Sequence, residues 1–322
     1  MINWFLQFIT GKQLVFINPH RNSVPLINDL NRKSFIFVNP IMLWKATFVF
    51  GSNSKMRYRA MAIMLSIIKP RYIIDINWIT RLHTLYFVWC KKQTNRKFIV
   101  IQHGTYAAGL ISDIPHRIMK CNLFLAWSDY FKSTLLQYNP GKKIEIVTWG
   151  NPVYNQYNRN QYRYKEVVGN KILLAPSLLL GDRLAIYQEL PKQLTKLGFD
   201  VFVKEHSFQK TKSTPIAWEQ KIGGDLFSVL QSGQFDVVIT DISSAMNDII
   251  FFKTRVIFCS PPGNWDFYTN NIYTLYLQNL ALAIDQLKTK ADVLKFVDVN
   301  AQEQLLAHLV DVVDQDNGLL KL

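Results

Sequence analysis

Ten short apolar runs, separated by stretches with helical periodicity, constrain the fold of this chain more than any other feature. They cover residues 13–18, 34–39, 72–77, 98–102, 123–127, 144–149, 171–176, 199–205, 235–241 and 255–259. Strands buried on both faces read as nearly continuous apolar runs, and their alternation with helices is typical of parallel α/β units. Helical patterns at 183–197 and 245–253 fit this alternation. The sequence therefore predicts an α/β chain with parallel sheets.

A polar segment at residues 150–170 divides the runs into two groups. It reads GNPVYNQYNRNQYRYKEVVGN, is rich in Asn and Tyr, and has the composition of a solvated linker between domains. A chain of 322 residues is also about long enough for two domains of roughly 150 residues each. We therefore expect two Rossmann-like domains, residues 1–155 and 165–322, that face each other across a cleft.

Several nucleotide-binding signatures are missing from this pattern. Neither domain opens with a Gly-x-Gly-x-x-Gly fingerprint, and the chain has no Walker A sequence, which argues against a nicotinamide enzyme or a P-loop enzyme.

Tyr and Arg in the linker could stack on bases and pair with phosphates. However, no nucleic-acid-binding module surrounds them, and the second half of the chain is acidic, so we expect no nucleic acid partner.

Charge is distributed unevenly along the chain. Residues 1–165 carry 23 Lys and Arg against 5 Asp and Glu, whereas the remaining residues carry 14 against 18. A basic half attracts phosphates, anionic polymers or anionic lipid head groups. Segment 55–71, KMRYRAMAIMLSIIKPR, combines five cations with apolar residues. It suits a helix on an anionic membrane surface, or equally a helix that covers a sheet and has a solvated cationic side.

The apolar runs and the cysteines indicate the compartment. The longest apolar runs are about half the length of a membrane-spanning helix, and the opening MINWFLQFIT lacks the basic leader and cleavage site of a signal peptide. Three widely spaced cysteines, Cys90, Cys121 and Cys259, suggest a reducing environment and no metal site. We expect a cytoplasmic protein, with peripheral association at the inner face of the cell membrane as the open alternative.

Polar residues end three of the predicted strands, at the position where open α/β sheets bind ligands. The first half gives IQHGT, with Gln102, His103, Gly104 and Thr105. The second half gives VKEHS, with Lys204 and His206. It also gives ITDISSAMND, in which Asp241 ends a strand and a helix begins near Ser243 and Ser244.

The second-half residues suit an anionic ligand. A helix start offers free backbone N–H groups and a positive dipole end, and the hydroxyls of Ser243 and Ser244 add donors. Lys204 and His206 would reach the same phosphate from the neighbouring strand. The alternative is an ordinary helix cap beside a lysine at a strand end.

These motifs resemble the two-domain glycosyltransferase architecture called GT-B, and within it the CDP-glycerol glycerophosphotransferase and bacterial capsule polysaccharide transferase families. TDISSAMNDIIFFKTRVIF resembles the family element TDYSS…D…KP(V/I)IF, VKEHS resembles its Arg/Lys-x-His-Pro motif, and QHGT resembles its His-Gly-Thr loop. The likeness spans roughly residues 97–260. Ser207 stands where the family usually has Pro, and Gln102 where the teichoic-acid enzymes usually have Trp.

The resemblance implies a role for each motif residue. His103 would be the base that accepts the proton of the acceptor hydroxyl, which a His with a pKa of about 6.5 can do near neutral pH. Apart from the resemblance, Asp113 is a second catalytic candidate, since with His116 in SDIPHR it could form an acid/base or acceptor-binding pair, although an Asp before Ile-Pro is also typical of an ordinary turn. The donor phosphate would be bound by Lys204, His206, Ser243 and Ser244, with Gln102, Gly104, Thr105, Asp241 and Asp248 in supporting positions. Without the resemblance, His103 is equally well a strand-end histidine bonded to backbone.

The expected function is transfer of a sugar from a nucleotide-activated donor, with a cytidine or uridine nucleotide favoured. The acceptor would be a capsule or lipopolysaccharide polysaccharide, or a lipid-linked acceptor. The N-terminal domain would bind the acceptor and the C-terminal domain the donor, with no metal and no separate cofactor. The alternatives are a CDP-glycerol-type glycerophosphotransferase and a non-catalytic protein that binds an anionic polymer; a sugar-nucleotide epimerase is a third option.

Overall fold

The structure, a computed structural model, divides the chain into two compact units. It describes residues 13–17, 35–38, 54–75, 81–92, 95–102, 120–138, 144–151, 153–154, 157, 159–177, 179, 181–206, 209, 214–241, 245–259, 280 and 284–310. Described residues up to Tyr157 belong to the first unit, and residues 159–310 belong to the second.

The first unit is built on a parallel sheet of six strands. These are β1 (Gln13–Ile17), β2 (Phe35–Val38), β3 (Tyr72–Asp75), β4 (Lys97–Ile101), β5 (Leu123–Ala126) and β6 (Glu145–Thr148). Their order across the sheet is β2-β1-β3-β4-β5-β6. The central strands β3, β4 and β5 are buried almost throughout, which explains why their sequences are apolar at consecutive positions.

Three helices accompany this sheet among the described residues: α1 (Ser54–Ile68), α2 (Arg81–Lys91) and α3 (Asp129–Tyr138). Helix α1 buries Ala60, Met61 and Leu65, one helical face, and packs beside α2. The helix predicted in segment 55–71 is therefore confirmed up to Ile68, and one of its faces belongs to the core of the unit. Other apolar residues of α1 stay exposed, as described below.

The second unit has a smaller parallel sheet. Its strands are β7 (Lys171–Leu174), β8 (Asp200–Val203), β9 (Val237–Thr240) and β10 (Arg255–Phe258), in the order β10-β9-β7-β8. Its described helices are α4 (Asp182–Lys196), α5 (Leu226–Gln231), α6 (Ala245–Phe251), α7 (Lys290–Leu294) and α8 (Val299–Leu309). Helix α4 buries Tyr187, Leu190 and Leu194, whose spacing of three and four residues gives one apolar stripe.

All ten predicted runs contain a strand, so the parallel α/β prediction is confirmed. Most of the predicted runs extend beyond the last residue of the strand. The polar residues at the ends of three runs, Gln102, Glu205 and Asp241, lie just beyond β4, β8 and β9. These residues leave the strands and make the side-chain contacts described below.

The boundary between the two units lies within the predicted linker, after Tyr157, and residues 159–165 contact the second unit. Tyr164 donates a 2.7 Å hydrogen bond to Glu303, and Arg159 contacts the other oxygen of that carboxylate at 2.6 Å. Lys165 forms a 2.8 Å ion pair with Asp236. The aromatic and basic residues that gave this tract the composition of a linker are the ones that attach it to the unit.

Candidate functional site

The strand order of the second unit reverses at β7, because β8 pairs with one side of this strand and β9 with the other. In open α/β sheets, ligands bind beyond the carboxyl ends of the strands at such a reversal. The segments that follow β7, β8 and β9 all leave the sheet at this edge. Two of them are the segments predicted to bind a phosphate.

Asp241 lies at the centre of this edge, directly after β9. Its side chain is 1% exposed, and its two oxygens accept hydrogen bonds from the Ser177 N–H at 2.7 Å and the Ser177 hydroxyl at 2.6 Å. Arg183 Nη1 donates to Asp241 at 2.7 Å and to the Ser177 hydroxyl at 3.1 Å. Burial raises the pKa of Asp241, and the bonds from Ser177 and the charge of Arg183 oppose that rise. The carboxylate thus joins the loop after β7 to the first turn of α4.

Ser177 and Arg183 were missed by the sequence motifs. A signal was present: a strand followed within a few residues by Ser, Gly and a helix start, in LLAPSLLLGDR. Gly181 precedes α4 with a φ of 55°, a conformation that favours glycine. The side-chain contacts of Asp241 could not be read from the chain, since 64 residues separate it from Ser177.

Lys204 follows β8, and its backbone N–H donates to Leu174 O at 2.8 Å, next to the end of β7. The side chain is half-buried, and no described residue pairs with its ammonium group. Burial lowers the pKa of Lys204, while the charge of Asp225 acts in the opposite direction. A half-buried cation at the carboxyl edge of a sheet is the arrangement expected of an anion-binding group.

The structure also describes the contacts of Glu205 and His206, the residues that follow Lys204 in the VKEHS motif. Glu205 accepts a 2.6 Å hydrogen bond from the Ile216 N–H and pairs with Lys221 at 3.2 Å. His206 is half-buried, and its carbonyl accepts from the Gln209 N–H at 2.9 Å. Glu205 therefore fixes the chain after β8.

Gln209, which the motifs also missed, connects the loops after β7 and β8. It is 1% exposed, its carbonyl oxygen accepts from the Leu179 N–H at 3.0 Å, and its amide donates to Thr214 O at 2.9 Å. A buried amide with satisfied donors and acceptors holds both loops in one arrangement.

The TDISSAMND motif is described in part. Helix α6 begins at Ala245, and Ser243 and Ser244 lie outside the described residues. Asp248 is buried within this helix. Asn247 is also fully buried, and neither of its amide atoms has a hydrogen-bond partner.

In the first unit, Gln102 directly follows β4 and is fully buried. Its N–H donates to Leu125 O at 3.0 Å, and its side-chain oxygen accepts from the Trp127 N–H at 2.8 Å. Gln102 therefore ties the carboxyl ends of β4 and β5 together. The predicted base His103, with Gly104, Thr105 and Asp113, lies outside the described residues.

Buried polar residues follow four neighbouring strands of this first sheet or end them. Asp75 ends β3, Gln102 follows β4, Ser128 lies two residues past β5 and Asn151 three residues past β6. Asn151 accepts from the Val153 N–H at 3.1 Å, and Gly150 has a φ of 73° that turns the chain out of the sheet. The described part of the carboxyl edge of this sheet is thus polar.

No group of three or more His, Cys, Asp or Glu in the described ranges could hold a metal ion. Within the same ranges, no helix has the length and apolar character needed to cross a membrane.

The sequence matches no protein-family model and no curated protein. Solved structures nevertheless resemble the chain. The wall teichoic acid polymerase TagF superposes with a TM-score of 0.57 at 12% identity, covering 94% of this chain and 85% of its own. MurG of Acinetobacter baumannii gives 0.51 at 9% identity, covering 93% and 96%.

A putative UDP-N-acetylglucosamine 2-epimerase from Listeria monocytogenes gives a TM-score of 0.50 at 11% identity, covering 92% of this chain and 95% of its own. Likenesses at such low identity concern the fold. They confirm, at that level, the GT-B fold class that the sequence motifs predicted.

Proposed function

We propose that this chain is a glycosyltransferase that moves a sugar from a nucleotide-activated donor to a bacterial surface polysaccharide. The observation that carries the proposal is the carboxyl edge of the second sheet, where half-buried Lys204 lies beside the end of β7 without a described ion-pair partner. A nucleotide-activated donor is an anion that would complete such a site. The structural likeness to TagF and MurG supports the proposal at the level of the fold.

The site residues retain the roles that their motifs imply. Lys204, His206, Ser243 and Ser244 bind the donor phosphate, and His103 takes the proton of the acceptor hydroxyl. As the acceptor oxygen bonds to the anomeric carbon, the bond between that carbon and the phosphate oxygen breaks. The nucleotide leaves with the electron pair, and Lys204 stabilises its negative charge.

Glycerol phosphate transfer is the second candidate, because TagF is a wall teichoic acid polymerase and one of its structures was obtained after a soak with CDPG. In that reaction the acceptor oxygen attacks phosphorus, so a cytidine donor would release CMP. Sugar transfer from a CDP- or UDP-linked donor releases the nucleoside diphosphate instead. The released nucleotide therefore distinguishes the two reactions.

The test is a donor panel followed by product analysis. CMP-, CDP-, UDP- and GDP-linked donors are screened by thermal shift, since a ligand that binds the folded state raises the melting temperature. Nucleotide release is then measured with a polysaccharide acceptor present. Turnover with a nucleoside diphosphate product supports the proposal, CMP released from a CDP-linked donor supports the second candidate, and tight binding without turnover supports a non-catalytic protein.

We also propose that the first unit associates with an anionic membrane surface, where a lipid-linked acceptor would be found. Helix α1 exposes Met56, Ile63 and Ile67, with Ile63 60% exposed, and α2 exposes Val88. Exposed cations flank these residues, including Arg59, Lys69, Arg71, Lys91 and Lys92. Neither α1 nor α2 contains an acidic residue. Apolar residues among cations are the pattern of a helix that lies at an anionic bilayer surface.

A further inference from the structure

We propose that Arg183 binds the phosphate of the donor and that Asp241 is the positioning residue that holds Arg183 at the carboxyl edge of the second sheet. The inference rests on the proposed function, because it assigns two further roles at the donor site. It also extends that site from the segments after β8 and β9 to the segment after β7.

The location of Arg183 is the first argument. Arg183 lies in the first turn of α4, the helix that follows β7, and β7 is the strand at which the sheet order reverses. Its guanidinium reaches Asp241 at the end of β9, with Nη1 2.7 Å from the carboxylate. The guanidinium therefore lies where β7 and β9 end side by side, the place at which this class of sheet binds ligands.

The burial of the pair is the second argument. The Asp241 side chain is 1% exposed and that of Arg183 28% exposed. Asp241 is thus enclosed and reaches a ligand only through its neighbours, whereas part of Arg183 reaches the surface. A guanidinium has five N–H donors in a planar fork that matches the oxygens of a phosphate. The buried carboxylate holds Nη1, and the partial exposure of the Arg183 side chain gives a phosphate access to this residue.

The local charge is the third argument. Lys204 and Arg183 bring two cations to the ends of β8 and β7, and Asp241 supplies one carboxylate in direct contact with Arg183. Gln209 joins the loops that follow these two strands through Leu179 and Thr214. Asp225 offsets part of the charge of Lys204, but both cations stand on loops that are held together before any ligand arrives, which lowers the cost of binding a phosphate.

A purely structural role for the same pair predicts a different result. In that case, Arg183 and Asp241 only attach α4 to the sheet, and substitutions lower stability without changing the affinity of the folded protein for a nucleotide. Arg183→Lys separates the two roles, since lysine keeps the charge beside Asp241 but lacks the planar fork. Arg183→Gln removes the charge, and Asp241→Asn removes the anchor while keeping its shape.

The experiment measures CDP and UDP affinity by isothermal titration for the wild type and these variants, with unfolding followed separately by urea. We expect Arg183→Gln to weaken binding by about tenfold or more, the loss of a charge-assisted contact, and Arg183→Lys to weaken it by less. Asp241→Asn should weaken binding too. In the Arg183→Gln background, however, Asp241→Asn should have little further effect, because a residue that acts through another shows no additivity with it.

Lys192→Gln is the matched control. It removes one positive charge from the exposed side of the same helix, where Lys192 pairs with Glu189 at the surface, and should leave affinity unchanged. Wild-type binding of CDP or UDP with unaltered affinity in both Arg183 variants overturns the inference but leaves the proposed function standing. Failure of the wild type to bind CDP, UDP or any other nucleotide of the donor panel overturns both. Independent, additive losses from Arg183 and Asp241 overturn the positioning role.

Discussion

The side-chain oxygen of Gln102 accepts a 2.8 Å hydrogen bond from the backbone N–H of Trp127, across the carboxyl ends of two neighbouring strands. Both residues are buried, so the N–H of Trp127 has no access to solvent as a substitute partner. Gln102, the residue just before the predicted base, therefore stabilises the carboxyl edge of the first sheet.

Replacing this acceptor should destabilise the first unit. Gln102→Met keeps the length of the side chain but leaves the Trp127 N–H buried and unpaired, which costs about 1–3 kcal/mol. Urea denaturation followed by tryptophan fluorescence measures the loss. Gln231→Met, at an exposed position at the end of α5, is the control and should unfold like the wild type. Equal stability of the two variants would contradict the role assigned to Gln102.

His103→Ala should lower kcat by about 10²–10⁴-fold, the usual contribution of a positioned acid or base. Donor affinity should change little, since the proposed base serves the acceptor. The pH–rate profile of the wild type should have an acidic limb that reports protonation of His103, and the variant should lose it. Near-normal kcat, or loss of donor binding in step with activity, would make His103 a structural or phosphate-binding group and Asp113 the next base to test.

Replacing Ser243 and Ser244 together with Ala should weaken donor binding while the protein stays folded. Each charge-assisted bond lost is worth about 1.5–3 kcal/mol, or about tenfold or more in affinity. The measurement is titration with the donor identified by thermal shift. Ser66→Ala is the control, because this hydroxyl bonds only to the backbone of α1 in the other unit. Unchanged donor affinity in the double variant would remove both serines from the site.

The exposed face of α1 should determine binding to anionic vesicles. Ile63→Glu and Ile67→Glu place negative charge among cations and remove apolar surface, so co-sedimentation with phosphatidylglycerol vesicles should fall. Leu136→Glu on α3 makes the same change at a 48% exposed position of the same unit and should bind normally. Binding by the wild type should weaken as salt rises, since screening acts over about 10 Å at 0.1 M. Salt-insensitive binding, or none, would refute the membrane proposal.

The second unit should lose stability in acid, because protonation of Glu303 removes a stabilising contribution. Burial raises the pKa of its carboxyl, but hydrogen bonds from Lys253 and Tyr164 and the charge of Arg159 outweigh burial, so its pKa is lowered overall. A carboxyl with a lowered pKa in the folded state stabilises the protein above its unfolded pKa, near 4.5, and loses that contribution as pH falls through the folded value.

Glu303→Gln should remove this part of the pH dependence. The expected difference between wild type and variant is up to about 1 kcal/mol near neutral pH, because the ion pairs are partly exposed, and it should shrink below pH of about 4. Urea denaturation at a series of pH values measures it. Lys192→Gln breaks only an exposed pair and should show no comparable change. A difference that stays constant from neutral to acidic pH would rule out the ionised carboxylate as its source.

The strands and the fold class could be predicted from the sequence alone. A strand that is buried on both faces is apolar at nearly every position, and parallel strands need a connecting segment between them. Buried residues such as Ile73, Phe124 and Ile239 therefore mark their strands in the local sequence. The ends of three strands were also readable, because the apolar run stops where the chain meets polar residues.

Tertiary structure alone decided which residues meet. Asp241 and Ser177 are 64 positions apart, and Tyr164 and Glu303 are 139 apart, so no local pattern records either contact. Tyr and Arg residues are common both in solvated linkers and in segments that pack on a domain. Only the contacts of Tyr164 and Arg159 with Glu303 show that this segment is attached to the second unit. Likewise, the amphipathic pattern in α1 supplied both a buried face and an exposed one, because only one side of the helix packs in the core of the unit.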